Sequence, residues 1–142
     1  MVDLIPEFQG RYRFLSNFWS AEVELDGIIY PSVEYAYQAA KSFDPSYRER
    51  IRKCNNPGAT KKLGRNIILR GDWNNVRLSI MYMLLKQKFR IPELRDKLLS
   101  TGTAMLIEGN YWGDTYWGVC RGRGENNLGK LIMQVRSELL EV

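Results

Sequence analysis

The chain has 142 residues, 44% of them hydrophobic and 26% charged, which is typical of a globular protein with its own core. No apolar run approaches the roughly 18 residues of a membrane span, and the beginning, MVDLIPEFQG, lacks the basic and apolar segments of a signal peptide. Two cysteines, Cys54 and Cys120, are too few for a disulfide framework. We therefore expect a cytoplasmic protein.

Histidine is absent from the sequence, and this restricts the chemistry. The absence excludes Ser-His and Cys-His nucleophile pairs, histidine general bases and histidine metal ligands. Catalysis then depends on carboxylates, lysines, tyrosines or amides, and we expect neither a metal ion nor a cofactor. The net charge of +5 favours anionic partners, such as phosphorylated small molecules or nucleic acid.

The first predicted elements are a hairpin and three helices. Residues 21–30 contain two β-prone runs around Asp26-Gly27, which is a type I′ turn signal. Gly64 is expected to end the third helix. The three helices begin at pairs that combine a capping residue and a proline, namely Pro31-Ser32, Asp44-Pro45 and Asn56-Pro57.

The second half of the sequence predicts three more helices and a short strand. Asp72 is expected to cap a long helix over 73–89, and Pro92 begins a fifth helix. Residues 104–109 are a strand candidate, and 126–142 form an amphipathic helix. The long helix is expected to carry Trp73, Val76, Ile80, Leu84 and Lys88 on one side. The expected buried face of the last helix consists of Leu128, Leu131, Ile132, Val135 and Leu139. We predict an α+β fold, a helix-rich single domain over residues 1–142 with a few short antiparallel strands.

The first helix, PSVEYAYQAAKSF, carries a polar stripe of Glu34, Gln38 and Lys41 at helical spacing. A solvated face is the simplest interpretation. The small, apolar remainder of the helix indicates close packing around much of its circumference, and this favours one wall of an active site.

Three further segments have compositions typical of ligand sites. RFLSNFW (13–19) surrounds Asn17 with aromatic side chains. The segment either fills part of the core or forms the edge of a pocket. GNYWGDTYWG (109–118) alternates aromatic residues with glycines around Asp114, which suits a nucleobase or sugar. RGRGENNLG (121–129) is a basic glycine loop before a helix, which suits a phosphate, although a plain flexible loop fits equally well.

Together these motifs resemble the NADAR family, also called YbiA-like. One departure is Tyr35, where many members carry a histidine after the glutamate; either that histidine is dispensable or this chain handles its substrate differently. The matching segments follow the family's order over nearly the whole chain: FLSNF (14–18), YPSVEYAYQAAK (30–41), LGRN (63–66), DW (72–73), KQKF (86–89), DTYWG (114–118) and NNLGKLIMQVR (126–136).

The resemblance implies a metal-independent N-glycosidase that cleaves a ribosyl C–N bond. One associated substrate is ADP-ribose on the exocyclic amine of guanine in nucleic acid, which some members remove as antitoxins to DarT-type ADP-ribosyltransferases. The other is the set of phosphoribosylamino-pyrimidine intermediates of riboflavin synthesis. The basic net charge favours the first. A non-catalytic module that binds ADP-ribose or NAD stays open, and the partners expected are the substrate and a toxin, with a monomeric chain and no membrane.

The resemblance also assigns the site residues. Glu34, Lys41 and Asp114 are the expected catalytic residues. In one scheme Lys41 attacks ribose C1 by transimination while Glu34 moves protons; in the other, two carboxylates support direct hydrolysis and Lys41 only binds. The substrate-binding candidates in the matching motifs are Asn17, Phe18, Tyr37, Gln38, Arg65, Asn66, Trp73, Trp112, Trp117 and Gly118.

Overall fold

The computed structural model describes residues 2–141, and the chain divides into two units, Met1–Ser16 with Phe89–Val142, and Asn17–Lys88. The prediction of a single domain stays a prediction. A 3-10 helix spans Gly10–Leu15. The other described elements are β1 (Leu4–Ile5), β2 (Val23–Leu25), β3 (Ile28–Tyr30), α1 (Val33–Ala40), α2 (Pro45–Arg52), α3 (Pro57–Gly64), α4 (Trp73–Lys88), α5 (Pro92–Ser100), β4 (Met105–Leu106), β5 (Gly109–Asn110), β6 (Val119–Cys120) and α6 (Asn127–Leu140).

The hairpin of the unit Asn17–Lys88 forms as predicted. β2 and β3 pair antiparallel, with Leu25 opposite Ile28. Asp26 and Gly27 have φ values of 50° and 82°, the pair of positive angles that a type I′ turn requires. The local turn signal was therefore sufficient to place this hairpin.

Capping side chains determine where α1, α2 and α3 begin. The three predicted helix starts are confirmed. The side chains of Ser32, Asp44 and Asn56 each accept a hydrogen bond from a backbone N–H of the first turn. Such bonds satisfy donors that a helix leaves unpaired. α4 begins at Trp73 as predicted, but the carboxylate of Asp72 accepts from the guanidinium of Arg70, with Nε at 2.6 Å.

α1 lies at the centre of its unit. It packs against α2, α3, α4 and the β2–β3 hairpin, and all eight of its residues are buried. Alanine at positions 36, 39 and 40 permits this close approach. The prediction that α1 packs around most of its circumference is confirmed.

The helix-rich α+β class is also confirmed, but the expectation of antiparallel strands is correct only for β2–β3. β1 pairs with β4 and β5 pairs with β6, and both pairs are parallel. A tight turn joins β2 to β3 and imposes an antiparallel direction. β1 and β4 are distant in sequence, and β5 and β6 are separated by the loop 111–118. No tight turn therefore sets the direction of either pair.

The buried faces of α4 and α6 differ in part from the predicted stripes. In α4, Trp73, Leu84 and Lys88 are buried, whereas Val76 and Ile80 are only half-buried. Met81 and Leu85 complete the buried face of α4. None of the helices within residues 2–141 combines the length and apolar character needed to cross a membrane.

In α6 a buried arginine joins the apolar stripe. Leu128, Ile132 and Val135 are buried as predicted. Arg136 is buried too, and its guanidinium donates to the Thr101 hydroxyl and the Ala104 carbonyl, each at 2.8 Å, which offsets the cost of burial. Leu131 and Leu139 are half-buried, and Val142, which the predicted helix included, lies outside the described residues.

Candidate active site

The polar stripe of α1 is not a solvated face. Glu34 is 8% exposed and Gln38 is 3% exposed, and Lys41, just after α1, is half-buried. Gln38 Nε2 donates to Glu34 Oε2 at 2.6 Å. Because a buried carboxylate requires hydrogen-bond partners, this bond helps to hold the Glu34 side chain in a fixed position.

Lys41 has an environment that shifts its pKa below the ordinary value for lysine. Burial lowers the pKa of Lys41; the carboxylate of Glu34 acts in the opposite direction, and the nearby charges of Lys61 and Arg65 lower the pKa further. A lysine loses its proton more readily under such conditions. A neutral amine is a nucleophile. Lys41 is half-buried, so its amino group is partly accessible.

Helix α3 approaches the polar stripe through Gly64. A Cβ atom at position 64 would collide with Gln38 Oε1 and would lie 3.3 Å from Lys41 Nζ. Glycine is therefore required by proximity, since its φ is not in the left-handed region. The last turn of α3 thus covers the amide of Gln38 and the amino group of Lys41.

Gly64→Ala is expected to lower turnover at least tenfold while shifting the melting temperature by only a few degrees. The added methyl group displaces the end of a flexible side chain, Gln38, and so changes the site more than the fold. Circular dichroism melting and kcat measure the two effects. Gly71→Ala is the control, because a Cβ there meets nothing within 4 Å; equal activity loss in both variants, or none in Gly64→Ala, contradicts this account.

Asn17 places a buried side-chain acceptor beside α1, the helix that carries Glu34. Its carbonyl accepts from the Glu34 N–H at 3.1 Å, and its Nδ2 donates to Met81 Sδ at 3.6 Å. Asn17 Oδ1 and Gln38 Oε1 are both buried without a hydrogen-bond partner among the described residues. Unsatisfied buried acceptors are costly, and two of them near Glu34 suit a ligand that brings hydroxyl or N–H donors.

Tyr37 and Trp73 form an aromatic wall next to Lys41. Their ring centroids are 5.2 Å apart at an interplanar angle of 50°, and Lys41 Nζ lies 5.8 Å from the Tyr37 centroid. The two residues are only 6% and 4% exposed. This burial favours a packing role for the Trp73 ring over stacking on a base; its assignment as a substrate contact stays a prediction.

Tyr35, the departure from the family pattern, points away from the polar stripe. Its hydroxyl donates to the Cys54 carbonyl at 2.7 Å, just beyond the end of α2. Burial raises the pKa of this phenol. Tyr35 therefore ties α1 to the segment after α2, and this contact gives the residue a structural role.

The other candidates of this unit lie at its surface or edge. Arg65 and Asn66 are exposed at the end of α3, and Phe18 is half-buried. Arg65 acts on Lys41 through its charge. The unit Asn17–Lys88 thus brings together Asn17, Glu34, Tyr37, Gln38, Lys41 and Arg65.

Asp114, the third predicted catalytic residue, belongs to the other unit, where it shapes its own loop. Its Oδ1 accepts from the N–H groups of Tyr116 and Trp117 at 3.1 and 2.9 Å. Its backbone N–H and carbonyl both bond the Asn110 side chain. These bonds show a structural use of Asp114; its catalytic role stays a prediction.

The aromatic loop exposes two of its rings and leaves the other two half-buried. Trp112 is 47% exposed and stands at an angle to the 86% exposed Tyr111, with centroids 5.2 Å apart. Trp117 is half-buried and packs edge-on against Tyr116 at 4.8 Å. Trp112 therefore has an accessible ring face.

Glu108 and Asn110 are candidates that sequence reasoning missed. Asn110 Nδ2 donates to Glu108 Oε2 at 3.0 Å and to the Asp114 carbonyl at 2.9 Å. A Cβ on Gly118 would collide with the side chain and carbonyl of Glu108. Gly118 is thus required for packing. The available signal was a carboxylate just before the aromatic loop, in a chain where carboxylates must replace histidine.

The basic glycine loop is tied down through Asn126. This residue has a φ of 54°; its Oδ1 accepts from the Glu108 N–H and its Nδ2 donates to the Leu106 carbonyl, each at 2.9 Å. The end of the loop is therefore held to the neighbouring strand segment. Phosphate binding by residues 121–129 stays a prediction.

Lys88 is a second perturbed lysine, at the end of α4. Its side chain is fully buried, and burial lowers its pKa from 10.5 to about 7. The sequence placed Lys88 on the same side of α4 as Trp73 and Leu84 but did not predict its full burial, because the burial arises from tertiary packing.

The unfolding free energy is expected to rise with pH above 7 because of Lys88. Its pKa is lower in the folded state, so the unfolded chain binds more protons between pH 7 and 10.5. Relative to Lys88→Met, the wild type should gain about 2 kcal/mol between pH 7.5 and 9.5 in urea unfolding. Lys86→Met is the control and should keep the wild-type slope. Parallel curves for the wild type and Lys88→Met would contradict the shift.

The described residues contain no group of three or more carboxylate, cysteine or histidine side chains placed to hold a metal ion. The acceptors of Asn17 and Gln38 suit hydrogen-bond donors, and the exposed Arg65 suits an anionic group. The groups available for chemistry in the unit Asn17–Lys88 are thus the Glu34 carboxylate, the Lys41 amine and the amide oxygens of Asn17 and Gln38.

Comparisons with known proteins agree with this arrangement. The model of the NADAR domain matches residues 7–140. The chain is 39% identical to N-glycosidase YbiA of Shigella flexneri, over 98% of this chain and 91% of that protein. It is 33% identical to a riboflavin biosynthesis protein of Vibrio vulnificus, over 92% of this chain and 36% of that protein. An NMR structure of E. coli YbiA superposes with a TM-score of 0.86 and 36% identity, over 99% of this chain and 88% of that one.

The fold, the buried Glu34 and the half-buried Lys41 define a helix-rich α+β domain that carries a carboxylate for proton transfer and an amine of lowered pKa. The chain belongs to the NADAR domain family.

Proposed function

We propose that this protein is an N-glycosidase that hydrolyses a ribosyl C–N bond and removes ADP-ribose from guanine in nucleic acid. The observation that carries the proposal is the buried Glu34–Gln38 pair beside Lys41, whose pKa burial lowers. The names of the YbiA relatives support the reaction class. The basic surface described below supports a nucleic-acid substrate.

The chemistry begins with the amine-like nitrogen on ribose C1. Protonation of the ring oxygen opens the ribose and gives a C1=N imine. Neutral Lys41 Nζ adds to C1, the bond from C1 to the guanine nitrogen breaks, and that nitrogen leaves with a proton. Water then adds to the C1=Nζ imine, the C1–Nζ bond breaks, and ADP-ribose is released. Glu34 moves the protons in each step.

Direct hydrolysis is the alternative route. Glu34 and a second carboxylate, for which the sequence predicts Asp114, would then act as acid and base, and Lys41 would only bind substrate. The Asp114 Oδ1 atom already accepts two backbone N–H bonds. This engagement favours an orienting role for Asp114 and supports the lysine route.

A second candidate substrate is the set of phosphoribosylamino-pyrimidine intermediates of riboflavin synthesis. The similarity to riboflavin biosynthesis proteins favours it. The same glutamate and lysine could act on it, since its ribose C1 also bears an amine-like nitrogen. A module that binds ADP-ribose without turnover has no need for a lysine poised as a nucleophile.

One assay separates the three functions. The protein is incubated with an oligonucleotide that carries ADP-ribosyl guanine and, separately, with the pyrimidine intermediates, and released ADP-ribose or ribose phosphate is quantified. We expect ADP-ribose release and little ribose phosphate. Release from the intermediates alone identifies the second candidate, and tight ADP-ribose binding without release identifies the module. An ADP-ribosyltransferase toxin is the partner that this proposal implies.

A further inference from the structure

The positive charge of the chain is concentrated in one stretch. Residues 45–70 contain eight Lys or Arg residues and one Glu, a net charge of +7, so the other 116 residues together carry −2. This stretch comprises α2, α3 and the loop that leads to α4. The basic character of the protein is therefore concentrated in this segment of the unit Asn17–Lys88, where Arg48 is buried and pairs with Asp26, and Arg70 pairs with Asp72.

Residues of this segment form a groove between α2 and α3. The groove encloses about 590 Å³, and its lining includes two cations and no carboxylate. Both cations, Arg50 and Lys62, are exposed. The lining residues are Arg50, Cys54, Ala59, Lys62, Leu63, Asn66 and Ile67. An anionic ligand with apolar parts fits such a lining.

The groove is connected to the candidate active site through α3. Lys61 and Arg65 are near enough to Lys41 to lower its pKa, while the next residues along the chain, Lys62 and Asn66, line the groove. α3 thus presents cations both toward the reactive lysine and toward the groove. A single extended anion could contact both sets.

Exposed apolar side chains accompany the cations. Phe43, two residues after Lys41, is 61% exposed, and Ile68 is 90% exposed. The guanidinium of Arg70 lies 4.0 Å from the centroid of the Phe43 ring, which holds the ring in place. Exposed rings among cations are typical of surfaces that bind single-stranded nucleic acid, because the rings stack on bases and the cations contact phosphates.

We propose that the surface formed by the α2–α3 groove and Phe43 binds the strand that flanks the modified base. Arg50 and Lys62 contact backbone phosphates, and Phe43 stacks on an unpaired base. The inference rests on the proposed function, since it names the polymeric part of the same substrate. The shared chemistry is a phosphodiester backbone, and DNA and RNA are separate arms of the test.

The test compares Arg50→Gln/Lys62→Gln with the wild type on two substrates. For an ADP-ribosylated oligonucleotide we expect KM to rise about tenfold with kcat unchanged, and the slope of log KM against log salt to fall by about 1.4, the value for two contacts on a single strand. For ADP-ribosyl guanosine, which has no flanking strand, no change is expected. Arg95→Gln/Lys130→Gln removes the same charge from exposed positions of the other unit and should behave as wild type on both.

A binding assay tests strand binding by the groove independently of catalysis. Fluorescence anisotropy with unmodified single-stranded DNA and RNA should show weaker binding by the groove variant and by Phe43→Ala than by the control. Equal binding by all variants, or an equal KM increase for both substrates, overturns the groove proposal and leaves the proposed function intact. Strand binding by a wild type that cleaves neither substrate overturns the proposed function instead and supports the groove.

Discussion

Replacing Glu34 by glutamine is expected to lower kcat for ADP-ribose release by about 10²- to 10⁴-fold, the range typical of a positioned proton-transfer group. The amide has nearly the same size and can still accept the hydrogen bond that Gln38 donates. The fold should therefore be retained. Because both chemical routes need Glu34 to move protons, the loss is expected whichever route operates.

Glu22→Gln is the matched control for this substitution. Glu22 is an exposed carboxylate in the same unit, so its neutralisation removes one charge without touching the polar stripe. Single-turnover assays under saturating substrate measure the chemical step for both variants. Retention of more than a tenth of wild-type kcat by Glu34→Gln would contradict a role for Glu34 in proton transfer.

Lys41→Met is expected to abolish turnover by the lysine route, with a fall in kcat of at least 10³-fold. Lys41→Arg should be equally inactive, because a guanidinium keeps the positive charge but cannot form the imine. If Lys41 only binds substrate, Lys41→Arg instead retains kcat and raises KM. The contrast between the two kinetic constants therefore separates a nucleophile from a binding residue.

The pH profile gives a further readout of Lys41. The nucleophile must be neutral, so kcat/KM should fall as pH decreases through the pKa of Lys41, which burial places below the ordinary 10.5. The Lys61 charge contributes to this lowering. Lys61→Gln should therefore move the acid limb of the profile to higher pH. A shift to lower pH, or none, would contradict the assignment of this limb to Lys41.

The parts of the fold that the sequence predicted well are those determined by neighbouring residues. Ser32, Asp44 and Asn56 cap their helices through bonds within the first turn, and Asp26-Gly27 closes the hairpin through its own φ angles. The parallel pair β1–β4 joins distant segments, and the parallel pair β5–β6 is connected by the loop 111–118 and not by a tight turn. Their direction depends on tertiary packing, which no short motif encodes.

The candidate site shows the same division. Helical spacing placed Glu34, Gln38 and Lys41 on one side of α1, but spacing gave no information on their burial. That burial arises because α2, α3 and α4 surround α1. It produces a buried carboxylate, Glu34, and an amine, Lys41, whose pKa is lowered. For the same reason, the sequence could not predict two further features. They are the hydrogen bonds that Asp114 makes within its loop and the full burial of Lys88.

The most direct test of the lysine route is reductive trapping. Wild-type protein is mixed with the ADP-ribosylated oligonucleotide and sodium borohydride, and peptides are analysed by mass spectrometry. The account predicts a stable adduct on Lys41, with none on Lys61 or Lys88 and none in Lys41→Arg. An active enzyme that yields no adduct on Lys41, or an adduct that persists in Lys41→Arg, would contradict it.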